Sequence, residues 1–170
     1  MAAAPYVLLH GAFHGGWCRR RVAARIPGRV RQLVYLDSAL VADGESWSDA
    51  VPPEAAAARR KSAAESSGGL SLPAPNAEFF GVIDPADRAW VDRRLTPHPF
   101  ATFDQKMRWG GPIGNGLRKI YIDCVAAAFA GLAAMKARYR GKADWPFNEL
   151  ATGHDAMVSA PAELTEILLG

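Results

Sequence analysis

Three clusters in this chain have residue types and spacings that chemistry can use. The first is Gly153-His154-Asp155-Ala156-Met157. It follows an apolar run and precedes a helix pattern, a loop position from which a histidine can act as a general base. The second is Asp37, closing Val34-Tyr35-Leu36-Asp37. A carboxylate at a strand end can orient an imidazole and stabilise its charged form. The third is His10-Gly11-Ala12-Phe13-His14-Gly15-Gly16-Trp17. A glycine-rich turn lets the backbone come close to a substrate, and acyl transfer needs N–H groups aimed at the developing oxyanion. Each cluster also has a plainer explanation. His154 can be structural, Asp37 can cap its strand, and the octapeptide can be a turn with two hydrogen-bonded histidines. His10 and His14 have H-x-x-x-H spacing, but they fall on a glycine loop and no Glu follows the first, so no metal site is expected.

A nucleophile is harder to place. A serine elbow needs flanking glycines to make its strained strand-to-helix turn. Gly11 to Gly15 encloses Phe13, and Gly110 to Gly114 encloses Pro112. The chain has no Gly-x-Ser-x-Gly. Ser38 follows a strand end but no glycine precedes it. Ser66 and Ser67 precede Gly68-Gly69 but follow an Ala-rich helix. Cys124 ends a strand without a glycine turn. These are weak substitutes, and the nucleophile stays unassigned.

The elements that would hold these groups alternate. Tyr6–Leu9, Val30–Leu36, Lys119–Cys124 and Trp145–Leu150 read as buried strands, because short apolar runs bounded by turn signals fit a parallel sheet. Helices are expected at Trp17–Ile26, Ala126–Tyr139 and Pro161–Leu169. Strand–helix alternation implies an α/β fold: a short parallel sheet of about four strands with right-handed crossovers. The stretch from Ser38 to Gly116 differs, being rich in Ala, Pro, Ser and Gly. Pro52-Pro53 can open a helix through Glu54–Glu65, whose alanines are expected to bury little and leave it marginal. Asp84-Pro85 is an N-cap plus first-turn proline for a helix to about Leu95. Residues 38–116 read as a helical cap inserted in a single domain covering 1–170.

The octapeptide, the Gly-His-x-x-Met loop and Val-Tyr-Leu-Asp together resemble the methylesterase and hydroxynitrile-lyase branch of the α/β hydrolases. Asp84-Pro-Ala-Asp-Arg-Ala-Trp90 and Thr96-Pro-His-Pro99 are similar to the lids of bacterial esterases in that branch. The resemblance covers Tyr6 to the C-terminus. It implies a reduced α/β-hydrolase-like fold with His154 as base and Asp37 as orienter, preferred over Asp123, which precedes its strand end. It makes the N–H of Ala12 an oxyanion donor, with Gly11 beside it and His10 and His14 shaping the loop. It also locates a gap: Trp17–Val22 meets Ala23–Val30 directly, where relatives place another strand, a helix and the elbow strand. Loss of the elbow strand would leave parallel edges, which favour self-association.

The implied function is hydrolysis of small carboxylic esters, aryl or methyl, admitted under the cap. Hydroxynitrile-lyase activity is disfavoured because the similar lyases need the same serine. The alternative is a non-catalytic or truncated relative that binds small apolar ligands. Losing a triad member leaves roughly 10³–10⁴-fold over water when the rest survives, and one oxyanion donor is worth roughly 10²–10³ more. The missing elbow therefore favours loss of efficient catalysis in this chain. No metal or organic cofactor is implied.

Composition excludes several other classes. Apolar residues make up 49% of 170, enough for a core. No stretch approaches the roughly 20 apolar residues of a membrane span. The start, Met1-Ala-Ala-Ala-Pro5, has no basic or long apolar leader pattern, so a cytoplasmic protein without a signal peptide is expected. The net charge is +3. Arg19–Arg21 and Arg59–Lys61 are short clusters without a nucleic-acid motif, and read as solvated helix faces. Cys18 and Cys124 form no disulfide framework and read as small buried thiols.

Overall fold

Ile120-Tyr121-Ile122-Asp123-Cys124 is buried on both faces, as a central parallel strand requires. It lies in a computed structural model that describes residues 32–114, 116–126 and 130–169. The strands are β1 (Gln32–Leu36), β2 (Ser71–Leu72), β3 (His98–Pro99), β4 (Arg118–Cys124) and β5 (Phe147–Leu150). The helices are α1 (Pro53–Ser67), α2 (Pro85–Asp92), α3 (Ala101–Asp104), α4 (Ala133–Tyr139), α5 (Ala156–Ser159) and α6 (Pro161–Leu169), with 3₁₀ turns at Ala77–Phe80 and Ala130–Leu132. The expected strand Tyr6–Leu9, the helix Trp17–Ile26 and the glycine loop between them lie outside the described residues.

Among the described residues the main sheet has three strands in the order β1-β4-β5, both pairs parallel. Tyr35 pairs with Tyr121, and Tyr121 with Phe147. This is the expected α/β architecture. Parallel neighbours need long crossovers. Between β1 and β4 the crossover is the whole 38–116 segment, and between β4 and β5 it carries α4. Side chains of β4 alternate between two cores. Ile120, Ile122 and Cys124 pack with Leu150, Ala156 and Leu164. Tyr121, on the other face, packs with Leu40 and Trp145.

The 38–116 segment shares its core with the sheet domain. Val41, Val51 and Ala56 pack on Leu132 and Met135 of the β4–β5 crossover. Ala77, Val82 and Val91 pack with Val158 of α5. The expected marginal helix is α1, and its alanines are better used than expected. Ala56 is buried in one cluster and Ala63 in another, with Leu72, Phe80, Phe100 and Phe103. The Arg59 guanidinium lies 4.2 Å from the Trp47 ring centroid. Gly68, in the left-handed region, ends α1, and Gly69 N–H donates to Ala63 O at 3.0 Å.

Three expected boundaries move. The helix expected from Ala126 begins later, because Val125 N–H donates to Leu150 O and Ala126 N–H to Thr152 O. Those bonds keep the chain on the sheet for two more residues, and α4 starts at Ala133. Trp145 is not in β5: its N–H closes a turn onto Lys142 O. The helix opened by Asp84 ends at Asp92, with Leu95 N–H still donating to Val91 O. Asp84 caps it as expected, accepting from Ala86 and Asp87 N–H.

Candidate active site

The carboxyl ends of β1, β4 and β5 lie side by side, the edge of a parallel sheet where ligands bind. Asp37 follows β1 directly. Its N–H extends the ladder to Ile122 O at 2.8 Å, and its φ is 39°. An aspartate tolerates the left-handed region better than most residues, and such a conformation persists only where surrounding structure enforces it. Here the Tyr121 hydroxyl holds the next residue by donating to Ser38 O at 2.8 Å.

His154 lies in the loop between β5 and α5. Its Nδ1 is 2.7 Å from Asp37 Oδ2, across 117 residues of sequence. Asp37 is fully buried, and the His154 side chain is 25% exposed. This arrangement suits a base whose Nε2 can face a substrate while the carboxylate fixes the other nitrogen.

The imidazole plane is fixed from the 38–116 segment. Phe80 stacks on His154 with centroids 5.8 Å apart and planes 24° from parallel. Asp155 N–H donates to Phe80 O at 3.4 Å. Thr152 Oγ1 and Ser159 Oγ are 2.9 Å apart, and Ser159 Oγ donates to Asp155 O, tying the two ends of the loop together. Gly153 meets the backbone of Gly81: a Cβ at 153 would lie 2.6 Å from Gly81 O. Glycine is required there by close approach.

Charge is arranged around Asp37. Lys136 of α4 forms an ion pair with Asp37 Oδ1, and its Nζ lies 2.6 Å from Asp123 Oδ1. Arg140 pairs with the other Asp123 oxygen and with Glu149. Burial pushes the Asp37 carboxyl upward, but hydrogen bonds from His154 and Lys136 outweigh it and hold the group below the usual carboxylate range. Burial disfavours the charge on Lys136, and its two carboxylate partners more than restore it, raising it above an ordinary lysine. Cys124 lies beside the same carboxylates. Burial, then the Asp37 charge, pushes its thiol up to about 12, so it carries no thiolate at neutral pH.

Of the residues singled out from sequence, the structure brings Asp37 and His154 together. Asp123 is turned toward Lys136 and Arg140 instead. Ser38 follows Asp37, and its hydroxyl donates to Ala39 O at 3.4 Å. Ser66 and Ser67 stand at the far end of α1. Ser67 Oγ donates to Ala63 O and accepts from Ser71 N–H, which locks the turn into β2. His10, Gly11, Ala12 and His14 lie outside the described residues. Sequence reasoning missed Lys136, Phe80 and the Gly81–Gly153 contact. Lys136 sits in an Ala-rich helix whose pattern does not distinguish a buried ammonium from a solvated one. Among the described residues, no cluster of His, Cys, Asp and Glu has metal-binding geometry, and no helix is long and apolar enough to cross a membrane.

No protein-family model matches the chain. Among solved structures it is similar to an extracellular α/β-hydrolase from a Paenibacillus species, with TM-score 0.66 and 18% identity over 87% of this chain and 64% of that one. It is also similar to a pyrethroid hydrolase from Sphingobium faniae, with TM-score 0.58 and 17% identity over 87% and 63%. The chain thus spans just under two thirds of the length of these structures, and the likeness shows the fold. In sequence it is 34% identical to a carbendazim hydrolyzing esterase from Nocardioides sp., over 95% of this chain and 69% of that protein. With that identity, coverage and fold, the chain belongs to the esterases of the α/β-hydrolase fold.

Proposed function

We propose that this chain carries the base half of an ester-hydrolase site, with His154 as general base and Asp37 as its orienting acid. The observation that supports this is the 2.7 Å contact between His154 Nδ1 and the buried Asp37 carboxylate. In acyl transfer, His154 takes a proton from the attacking hydroxyl and returns it to the leaving alkoxide. Asp37 holds the imidazole in the tautomer whose Nε2 is the proton acceptor. The similar proteins act on carbendazim and on pyrethroids by their names, and a small ester is the substrate class proposed here. It would enter beneath the 38–116 cap, where Phe80 meets His154. Ala12 N–H, flanked by Gly11, His10 and His14, is the proposed oxyanion donor. The protein is proposed to act in the cytoplasm without metal or organic cofactor, with no nucleic-acid or membrane partner and with a tendency to self-associate.

The second reading is a ligand-binding relative without turnover. It is favoured by the absence of a Gly-x-Ser-x-Gly and by the structural work done by the Ser67 hydroxyl. Incubation with a fluorophosphonate and location of the adduct by mass spectrometry separate the two. A serine adduct that disappears in His154→Ala supports hydrolysis. No adduct on folded protein, with an ester analogue raising the melting temperature without being consumed, supports binding alone.

A further inference from the structure

The Asp37 carboxylate is divided between two partners. Oδ2 meets His154 Nδ1. Oδ1 is buried, and the Lys136 ammonium is its partner. The Asp37 N–H is already committed to Ile122 O. A triad carboxylate must be held in one rotamer to orient its imidazole, and here an ammonium is placed to do this. Lys136 is itself held from a second side. Asp123 of β4 accepts from it at 2.6 Å, and Arg140, one turn on, pairs with the other Asp123 oxygen. The Lys136 side chain is only 11% exposed. Cation and anion alternate from Arg140 through Asp123 and Lys136 to Asp37, whose other oxygen meets the imidazole.

We propose that Lys136 is a positioning residue of the His154–Asp37 pair, clamping the Asp37 carboxylate against Asp123 so that its other oxygen stays aligned with the imidazole. The proposal rests on the dyad proposed above, and it gives α4 a role in the site. Lys136 on α4, itself held by Asp123 on β4, fixes the carboxylate that follows β1, so the alignment does not depend on the loop alone.

The test uses the proton on His154 Nδ1, read by NMR on protein with ¹⁵N-labelled histidine. Wild-type protein should show an imidazole N–H resonance, slow to exchange with water, that is lost in H154Q and in D37N. In K136M that proton should exchange faster by about ten- to a hundredfold, the range expected for disrupting a hydrogen bond to a charged group. K136R should restore slow exchange, because a guanidinium can reach two carboxylates at once. The single K136M change leaves two buried aspartates with one cation fewer, so K136M/D123N is made beside it to keep the charge balanced and the protein folded. Fast exchange in that folded double variant supports the clamp. Wild-type exchange in either folded variant overturns it while leaving the dyad standing. A wild-type protein without a resonance sensitive to both H154Q and D37N overturns the dyad and the clamp with it.

Discussion

Gly153→Ala isolates the contact between Gly81 and the loop that carries His154. The added Cβ would sit 2.6 Å from Gly81 O, 2.7 Å from Gly81 Cα and 2.8 Å from Gly81 C. All three are backbone atoms, so no side-chain rotation relieves the clash, and the two segments must part by several tenths of an ångström. Overpacking of this kind costs about 1–3 kcal/mol. Gly153 is not in the left-handed region, so alanine suits its backbone and returns about 0.4–1 kcal/mol by restricting the unfolded chain. The net loss is about 1–2 kcal/mol, and for a chain of this size the melting temperature should fall by about 2–8 °C. Gly111→Ala is the control, because its Cβ would meet nothing within 4 Å. Thermal unfolding followed by far-UV circular dichroism reads both variants. The separation also moves His154 relative to Phe80 and Asp37, so any His154-dependent labelling should fall even where the protein remains folded. A Gly153→Ala protein melting at or above the wild type would refute the close approach.

Phe80→Ala should cost about 3–5 kcal/mol, the usual range for a buried phenylalanine, since Phe80 is packed between Ala63, Leu72 and the His154 ring; denaturant unfolding measures it. Asp37 is held below its unfolded value of 3.8, so its contribution to stability is present above that value and is lost as pH falls through the folded one. Melting temperature should therefore drop below about pH 4 in the wild type, and Asp37→Asn should be less stable at neutral pH with a shallower acid slope. Cys124, with its thiol pushed to about 12, should resist alkylation at neutral pH until the protein is unfolded, as peptide mass spectrometry would show.

What was legible in the sequence followed from strong local signals. β4 announced itself as an apolar run that is buried on both faces, and Asp84-Pro85 announced a helix start that the structure places at Pro85. Asp37 was readable as a strand-end carboxylate, and His154 as a loop histidine before a helix. Their meeting was expected from family resemblance, since nothing within either segment encodes a partner 117 residues away. The errors arose where tertiary bonds overrode local preference. Ala126 looks helical, yet its N–H is taken by Thr152 O, and the helix waits until Ala133. The β2–β3 pair was missed because two-residue strands carry no period. Lys136 was missed because an amphipathic pattern shows which face is apolar but not where one ammonium points.

The choice between Asp37 and Asp123 shows how the fold decides chemistry that composition leaves open. Both are buried, both lie near the carboxyl edge of the sheet, and both contact Lys136. Asp123 is inside β4, where the pleat fixes its direction toward α4 and its cations. Asp37 stands one residue beyond β1, where the pleat ends and φ turns positive, so its carboxylate can reach past the end of β4 to the loop after β5. A strand-end position is what makes a carboxylate available to an imidazole two strands away. Among the described residues, β1, β4 and β5, in that order, bring the two side chains into contact. The described contacts of His154 and Asp37 involve none of the candidate serines, so the exchange rate of the Nδ1 proton and the fluorophosphonate adduct can give independent answers.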